Sequence, residues 1–193
     1  MNPQKLIGLL LSEKVYDSIK ENEEAIFRLL PELKVCKGFD QKNQWHVYDV
    51  YEHILHVVSG VEANRILRLT ALFHDMGKPP AFHLDDQGVG HFYGHWDRSV
   101  EIFRKYKQVL NLPQEETDLI ETLIFYHDVN VDRLTEEELL AMVERIGKEN
   151  LGLLFAIKRA DLMAQSPAFH GMITKLREQE QSLQRRFVLN NTD

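Results

Sequence analysis

The stretch LTALFHDMGKPPAFH, Leu69 to His83, closes an apolar run on an adjacent His74 and Asp75, followed by glycine, lysine and two prolines. An imidazole nitrogen beside a carboxylate oxygen offers two ligand atoms to a divalent metal ion. The same two groups also make an ordinary polar helix end, with a histidine at the C-terminus and a solvated acid next to it. Residues of these types recur as His53, as His95 in YGHWD, as His127 in FYHD and as Asp161 in IKRAD. Taken singly, each histidine is also explained as a hydrogen-bonded core residue. Asp161 alone is explained as an ion-pair partner of Arg159 or Lys158. Taken together, two His and two Asp carry about −2 of charge, which one divalent cation neutralises.

Such side chains can meet only if separate elements aim them inward. Apolar residues recur at helical spacing almost throughout, and continuous strand patterns are weak. The pattern predicts helices over about 12–30 (Ser12 as cap, Pro31 as stop), 48–59, 61–76, 96–110, 113–127, 135–147, 149–165 and 171–187. Thr135 to Glu138, TEEE, has the form of a capping box. Residues 31–45 read as a connection, and 79–95 as a long loop rich in Gly, Asp and His, a length often associated with function. The phases place His53 on a face with Val50, Ile54 and Val57, and His74 in a row with Leu67 and Ala71. They place His127 with Leu123 and Ile124, and Asp161 with Leu154 and Ile157. Burying these polar groups without partners is costly, and a metal ion would resolve all of them at once. The expected fold is an all-α bundle over residues 1–193 as one domain, with the candidate site in its helical core.

Composition narrows the rest. A chain of 193 residues suits one domain with a sizeable core, and its net charge of −7 offers no bulk attraction to nucleic-acid backbones or anionic membranes. A small substrate is favoured over a large nucleic acid. One cysteine, Cys36, excludes an internal disulfide and fits a reducing, cytoplasmic setting. The run Leu6 to Leu11 lacks the flanks of a signal peptide, and no apolar stretch is long enough to span a bilayer. Residues 190–193 read as a loose tail.

The order His53, His74-Asp75, Asp161 resembles the metal signature of the HD phosphohydrolase superfamily. HVYDVYEHILHVV (46–58) and LTALFHDMGKP (69–79) are similar to the HD domain associated with bacterial tRNA nucleotidyltransferases. FYGHWDRSVEIF (92–103) resembles its Gly-His motif, with Asp97 where an acid, often Glu, is expected; FYHD and IKRADLMAQ complete the set. The resemblance covers about residues 46–165 and leaves 1–40 and 170–193 outside it. Nothing resembles a nucleotidyltransferase catalytic domain, and the tandem Gly-Tyr-Pro signature of cyclic-di-GMP hydrolases is absent. The resemblance implies that His53, His74, Asp75 and Asp161 bind a first metal ion. It implies that His95 and His127 join Asp75, as a bridge, to hold a second. Imidazole-rich ligation suits Mn, Fe, Co, Ni or Zn better than Mg.

Such ions acidify water near neutral pH, which suits hydrolysis of a phosphomonoester or phosphodiester with a nucleotide-like substrate. Asp75 could orient that water. Lys78 is the first candidate to hold the substrate phosphate, followed by Arg98 and His46. Each has a plainer explanation: Lys78 as a helix-end cation, Arg98 in an ion pair with Asp97 or Glu101, and His46 with Asp49 bracing a helix. His56 is expected to pack, His83 and His91 to be solvated loop residues, and Trp45 and Trp96 to anchor the core. The mixed-charge helix at 175–186 faces solvent or a second copy in a homo-oligomer. Two other functions remain: an HD-type diiron oxygenase with a similar ligand set, and a non-catalytic nucleotide- or RNA-binding module.

Overall fold

The computed structural model describes residues 1–188; the tail expected at 190–193 lies outside the described residues. Four short helices open the chain: α1 Pro3–Leu10, α2 Val15–Glu21, α3 Glu23–Leu29 and α4 Pro31–Cys36. The helices α5 Val50–Gly60, α6 Arg65–Phe73, α8 His95–Leu110, α9 Gln114–Tyr126 and α11 Leu151–Met163 follow, with the short α7 Lys78–Ala81 between α6 and α8. α10 Glu136–Ile146 joins α9 to α11, and α12 Ile173–Phe187 closes the described chain. The architecture is all-α, with one two-stranded antiparallel ribbon, β1 His83–Leu84 and β2 Gly90–His91, pairing His83 with His91 and Leu84 with Gly90.

α6 is the axis of the assembly and touches α5, α8, α9 and α11. Every residue from Leu67 to Phe73 is buried, as expected of a helix apolar around most of its surface. Asn64 starts it by accepting from the backbone N–H groups of Ile66 and Leu67. Asp49 starts α5 in the same way, through Glu52 N at 2.7 Å. The capping box of α10 is present, with the Thr135 hydroxyl and the Glu138 carboxylate satisfying each other's backbone donors.

The N-terminal helices belong to the main hydrophobic cluster: Leu6, Ile19, Phe27 and Leu33 are buried with Tyr51, Ile54, Phe73 and Phe103. A second cluster gathers Leu123, Met142, Phe155 and Leu183, and Ile66 and Leu153 pack against both. Among the described residues no helix is long and apolar enough to cross a membrane.

Several expected elements differ. The single helix over 12–30 is two, parted at Asn22, whose side-chain amide donates to Ser18 O and competes with the backbone ladder. Ser12 caps neither, since α2 begins at Val15; its hydroxyl accepts from Lys14 N instead. Pro31 starts a helix rather than ending one, because at the first helical position its missing N–H costs nothing. The expected connection therefore contains α4. The loop at 79–95 is ordered by α7 and by the ribbon, whose turn has Asp85 accepting from Gln87 N and Val89 N and Gly88 at φ +77°.

Candidate metal centre and its cavity

The polar side chains converge where α5, α6, α9 and α11 meet the start of α8. His53 comes from the middle of α5 and is fully buried. His74 caps the C-terminus of α6, so the helix end delivers both His74 and Asp75. His127 caps α9 in the same manner, His95 is the first residue of α8, and Asp161 lies near the end of α11.

Ring orientation is set by the backbone. His74 Nδ1 lies 2.7 Å from Ala71 O, His95 Nδ1 2.9 Å from Phe92 O and His127 Nδ1 2.6 Å from Ile124 O. His53 Nδ1 faces Ala164 O at 3.4 Å. A carbonyl only accepts, so Nδ1 carries the proton in each ring and Nε2 turns a lone pair toward the centre. That is the arrangement in which an imidazole ligates a metal, with the second nitrogen held by an outer partner.

The inward atoms form two groups that share Asp75. His53, His74, Asp75 and Asp161 place ligand atoms within 4.8 Å of one another, and so do Asp75, His95 and His127. Asp75 Oδ2 faces His53 Nε2 at 3.2 Å and His74 Nε2 at 3.3 Å, while Asp161 Oδ1 is 2.9 Å from His53 Nε2. Asp75 Oδ1 faces His95 Nε2 at 3.3 Å and His127 Nε2 at 3.6 Å. Despite these short approaches, both Asp75 oxygens and the Nε2 atoms of His53 and His74 are buried without a properly directed hydrogen bond. His95 Nε2 and His127 Nε2 point at each other across 3.2 Å, lone pair to lone pair. Ligand bonds of about 2.1 Å put neighbouring ligand atoms roughly 3 to 3.4 Å apart, and the approaches of His53, His74 and His95 to Asp75, at 3.2 to 3.3 Å, suit atoms sharing a cation. The donor set fits one or two divalent ions.

The electrostatics agree. Burial alone would raise the Asp75 carboxyl, yet the neighbouring His74 and Lys78 hold it well below the usual carboxylate range. Asp161 is likewise held low against its burial, by His53 and then His74. Burial opposes a charge on His53, but Asp161 and Asp75 outweigh it and raise its pKa.

Lys78, on α7, ion-pairs with Asp75 Oδ2 at 2.7 Å and donates to Gln41 Oε1 at 2.9 Å and His46 Nε2 at 3.2 Å. His46 is pushed down to about 3 by burial and by the Lys78 charge, so it is neutral, accepting at Nε2 and donating from Nδ1 to Asn43 Oδ1. Both residues line a cavity of about 490 Å³ that opens onto Asp75, His95, His127 and Asp161.

Arg98 does not reach this cavity. Its side chain turns outward to Glu101 at 3.0 Å, one turn further along α8, and stays 57% exposed. His56 packs on the ring of Tyr48 at 4.2 Å, while His83 stays exposed on the ribbon and His91 lines the cavity mouth, paired with Asp85. The tryptophans are not core anchors: Trp45 is 43% exposed and stacks on Phe169 at 3.8 Å, and both Trp45 and Trp96 line the cavity. Asp161 pairs with neither expected cation, since Arg159 turns to Glu180 and Lys158 to backbone carbonyls.

Gln41 and Lys158 are not among the expected site residues, Lys158 entering only as a partner for Asp161. Lys158 lies three residues before Asp161, and that helical spacing was the available signal. Gln41 carries no local signal, because it reaches Lys78 only through the fold.

A family model described as HD domain matches residues 45–163. The chain belongs to the HD domain family. That superfamily comprises metal-dependent phosphohydrolases. The chain is similar to the CC-adding tRNA nucleotidyltransferase of Thermus thermophilus, 33% identical over 143 residues, which are 71% of this chain and 30% of that protein. It is 36% identical over 99 residues to the multifunctional CCA protein of a Janthinobacterium species, covering 49% of this chain and 23% of that one. The bifunctional uridylyltransferase/uridylyl-removing enzyme of Streptomyces coelicolor is 26% identical over 183 residues, 86% of this chain and 20% of its own. The chain thus spans less than a third of the length of these relatives. The HD match begins at Trp45 and ends at Met163, so α1 to α4 and α12 lie outside it.

Proposed function

We propose that this HD domain hydrolyses a phosphomonoester or phosphodiester, nucleotide-like in character, with one or two divalent transition-metal ions. The observation that carries it is the pair of ligand groups sharing Asp75, whose buried oxygens and the facing Nε2 atoms of His53 and His74 lack hydrogen bonds, Asp75 Oδ2 being met by the Lys78 ion pair. His53, His74, Asp75 and Asp161 would hold one ion; Asp75, His95 and His127 would hold the second. Bound there, an ion would acidify water near neutral pH and offset phosphoryl charge.

The chain's own groups do the rest. The four backbone-anchored imidazoles fix the ligand directions before substrate arrives, which lowers the reorganisation needed at the reacting centre. Lys78 keeps Asp75 ionised and oriented and adds a positive charge beside the place a phosphoryl group would take. His46 and Gln41 hold Lys78 in position. Trp45, Phe92 and Trp96 give the cavity aromatic walls suited to a planar substituent. The uridylyl-removing name of one relative supports chemistry on a nucleotidyl ester.

The test is a panel of 2′,3′-cyclic nucleotides, nucleoside monophosphates and an aryl phosphodiester, each assayed with Mn, Ni, Co, Fe and Mg. Metal-dependent release of phosphate or phenol, or opening of a cyclic nucleotide to its monophosphate, that Asp75→Ala abolishes is expected. Oxygen uptake with iron and no ester cleavage would overturn the proposal in favour of an oxygenase. Tight nucleotide binding without turnover under every metal would make the domain a binding module.

A further inference from the structure

Lys158 is 9% exposed, in the middle of α11, three residues before Asp161, and lines the cavity. It donates to His127 O at 2.7 Å and to Val129 O at 2.7 Å. Among the described residues it makes no ion pair; Asp128 and Asp161 act on it only at longer range. An ammonium has three donors. Two are spent on carbonyls, and the third has no protein acceptor while the side chain borders the cavity.

A buried charge without a contacting counter-charge is expensive, and a fold keeps one where a ligand of opposite sign completes it. Lys78 is the useful contrast, because its ammonium is already met by the Asp75 carboxylate as well as by Gln41 and His46. Asp161 cannot become the missing partner once it is committed to a cation with His53 and His74. Lys158 also reaches the centre from a different wall. Lys78 sits at Asp75 Oδ2, whereas Lys158 holds the backbone of His127, whose ring faces Asp75 Oδ1.

We propose that Lys158 is the direct oxyanion donor of this cavity, giving its third N–H to a phosphoryl oxygen of the bound ester and, after cleavage, to the phosphate product. The proposal rests on the phosphoester reading above and deepens it. Lys158 binds the substrate; its two carbonyl bonds aim it and tie the end of α9, and hence His127, to α11. The HD match ends at Met163, so this lysine lies on the same matched helix as Asp161 and is fixed by the same packing.

The probe is inorganic phosphate, titrated calorimetrically into the Mn²⁺-loaded full chain. Manganese content and melting temperature are measured on the same samples. Lys158→Gln should weaken phosphate about 10- to 100-fold, the usual worth of a hydrogen bond from a charged donor, with manganese content unchanged. Lys158→Arg should restore most of that loss. With an ester substrate the glutamine change should appear chiefly in KM. Phosphate affinity equal to wild type in Lys158→Gln overturns the proposal. So does loss of manganese in step with loss of phosphate, which would make the lysine only a tie between helices.

Should Lys158→Gln fail to fold, the wild-type protein answers instead: phosphate should slow acetic anhydride labelling of Lys158, read by mass spectrometry, and an unchanged labelling rate overturns the proposal. Failure of the parent reading looks different. Phosphate bound through Lys158 with no ester cleaved removes the hydrolase and leaves the donor. Metal-dependent turnover with Lys158→Gln fully active removes the donor and leaves the hydrolase.

Discussion

The Nδ1 atoms of His74, His95 and His127 each meet the carbonyl three residues earlier, so three rings from three helix ends are oriented by one local device. Its result is a set of lone pairs aimed at both oxygens of Asp75. Replacing Asp75 by alanine removes the only group common to both ligand clusters. Metal-dependent turnover should then fall by more than the roughly 10- to 100-fold typical of losing an outer partner, and plasma emission analysis should find the bound metal gone.

The sign of the pH dependence is also set at this scale. His53 has a folded pKa raised by Asp161 and Asp75 against the effect of burial. Its stabilisation is therefore complete below its unfolded value of about 6.5 and is lost as pH rises through the folded value. His46, pushed down to about 3 in the fold, is neutral in both states only above its unfolded value of about 6.5; below that it charges on unfolding and opposes folding, so it adds nothing to the trend above 6.5. The melting temperature of the chelated protein should fall as pH rises from about 6.5, and saturating Mn²⁺ should remove the fall, because ligation favours the deprotonated imidazole. Parallel pH profiles with and without metal would count against the site. His53, His74, His127 and Asp161 were legible because helical phase turns them inward; Asp75 followed as the neighbour of His74, and His95 from its motif. Lys158 was visible only as a neighbour of Asp161, since a lysine's partners depend on which backbone carbonyls the fold brings to it.

At the scale of elements, the seat of α8 decides whether His95 joins the site. Gly77 N donates to Ser99 Oγ at 2.9 Å, and a Cβ at Gly77 would stand 2.2 Å from His95 O and 2.5 Å from Ser99 N. Backbone cannot yield as a flexible side chain can. Gly77→Ala should push α8 away and cost about 1–3 kcal/mol, in the range of overpacked cores. It should weaken the group of Asp75, His95 and His127 while sparing that of His53, His74 and Asp161. Two-phase manganese binding in wild type, with only the second phase lost in the variant, would show this; equal loss of both phases would contradict it. The sequence pattern located the long helices well, because burial and capping act over a few residues. It missed the break at Asn22, the start at Pro31 and the ribbon, where one side chain or one turn outweighs the apolar period.

For the molecule as a whole, the cavity joins a matched HD core to an added wall. Met172, Lys175, Leu176 and Gln179, all beyond Met163, line its outer side, and Lys175 is held by Asp132 at 2.8 Å. The buried Leu183 docks α12 against the cluster containing Phe155 and Met142. Leu183→Ala should cost about 2–5 kcal/mol of stability, raise KM and leave metal content unchanged; an unaltered KM in a folded variant would remove α12 from the binding site. The all-α class and the convergence of the ligands were legible from one sequence. The contribution of α12 was not, since its mixed charges look the same facing solvent or a cavity.

The central claim is that distant histidines and aspartates share one or two cations through Asp75. Equilibrium dialysis of the metal-free full chain and of Asp75→Ala against Mn²⁺ tests it most directly. One or two ions should bind tightly to the wild type and none tightly to the variant, whereas equal binding by both, or none by either, would contradict the account.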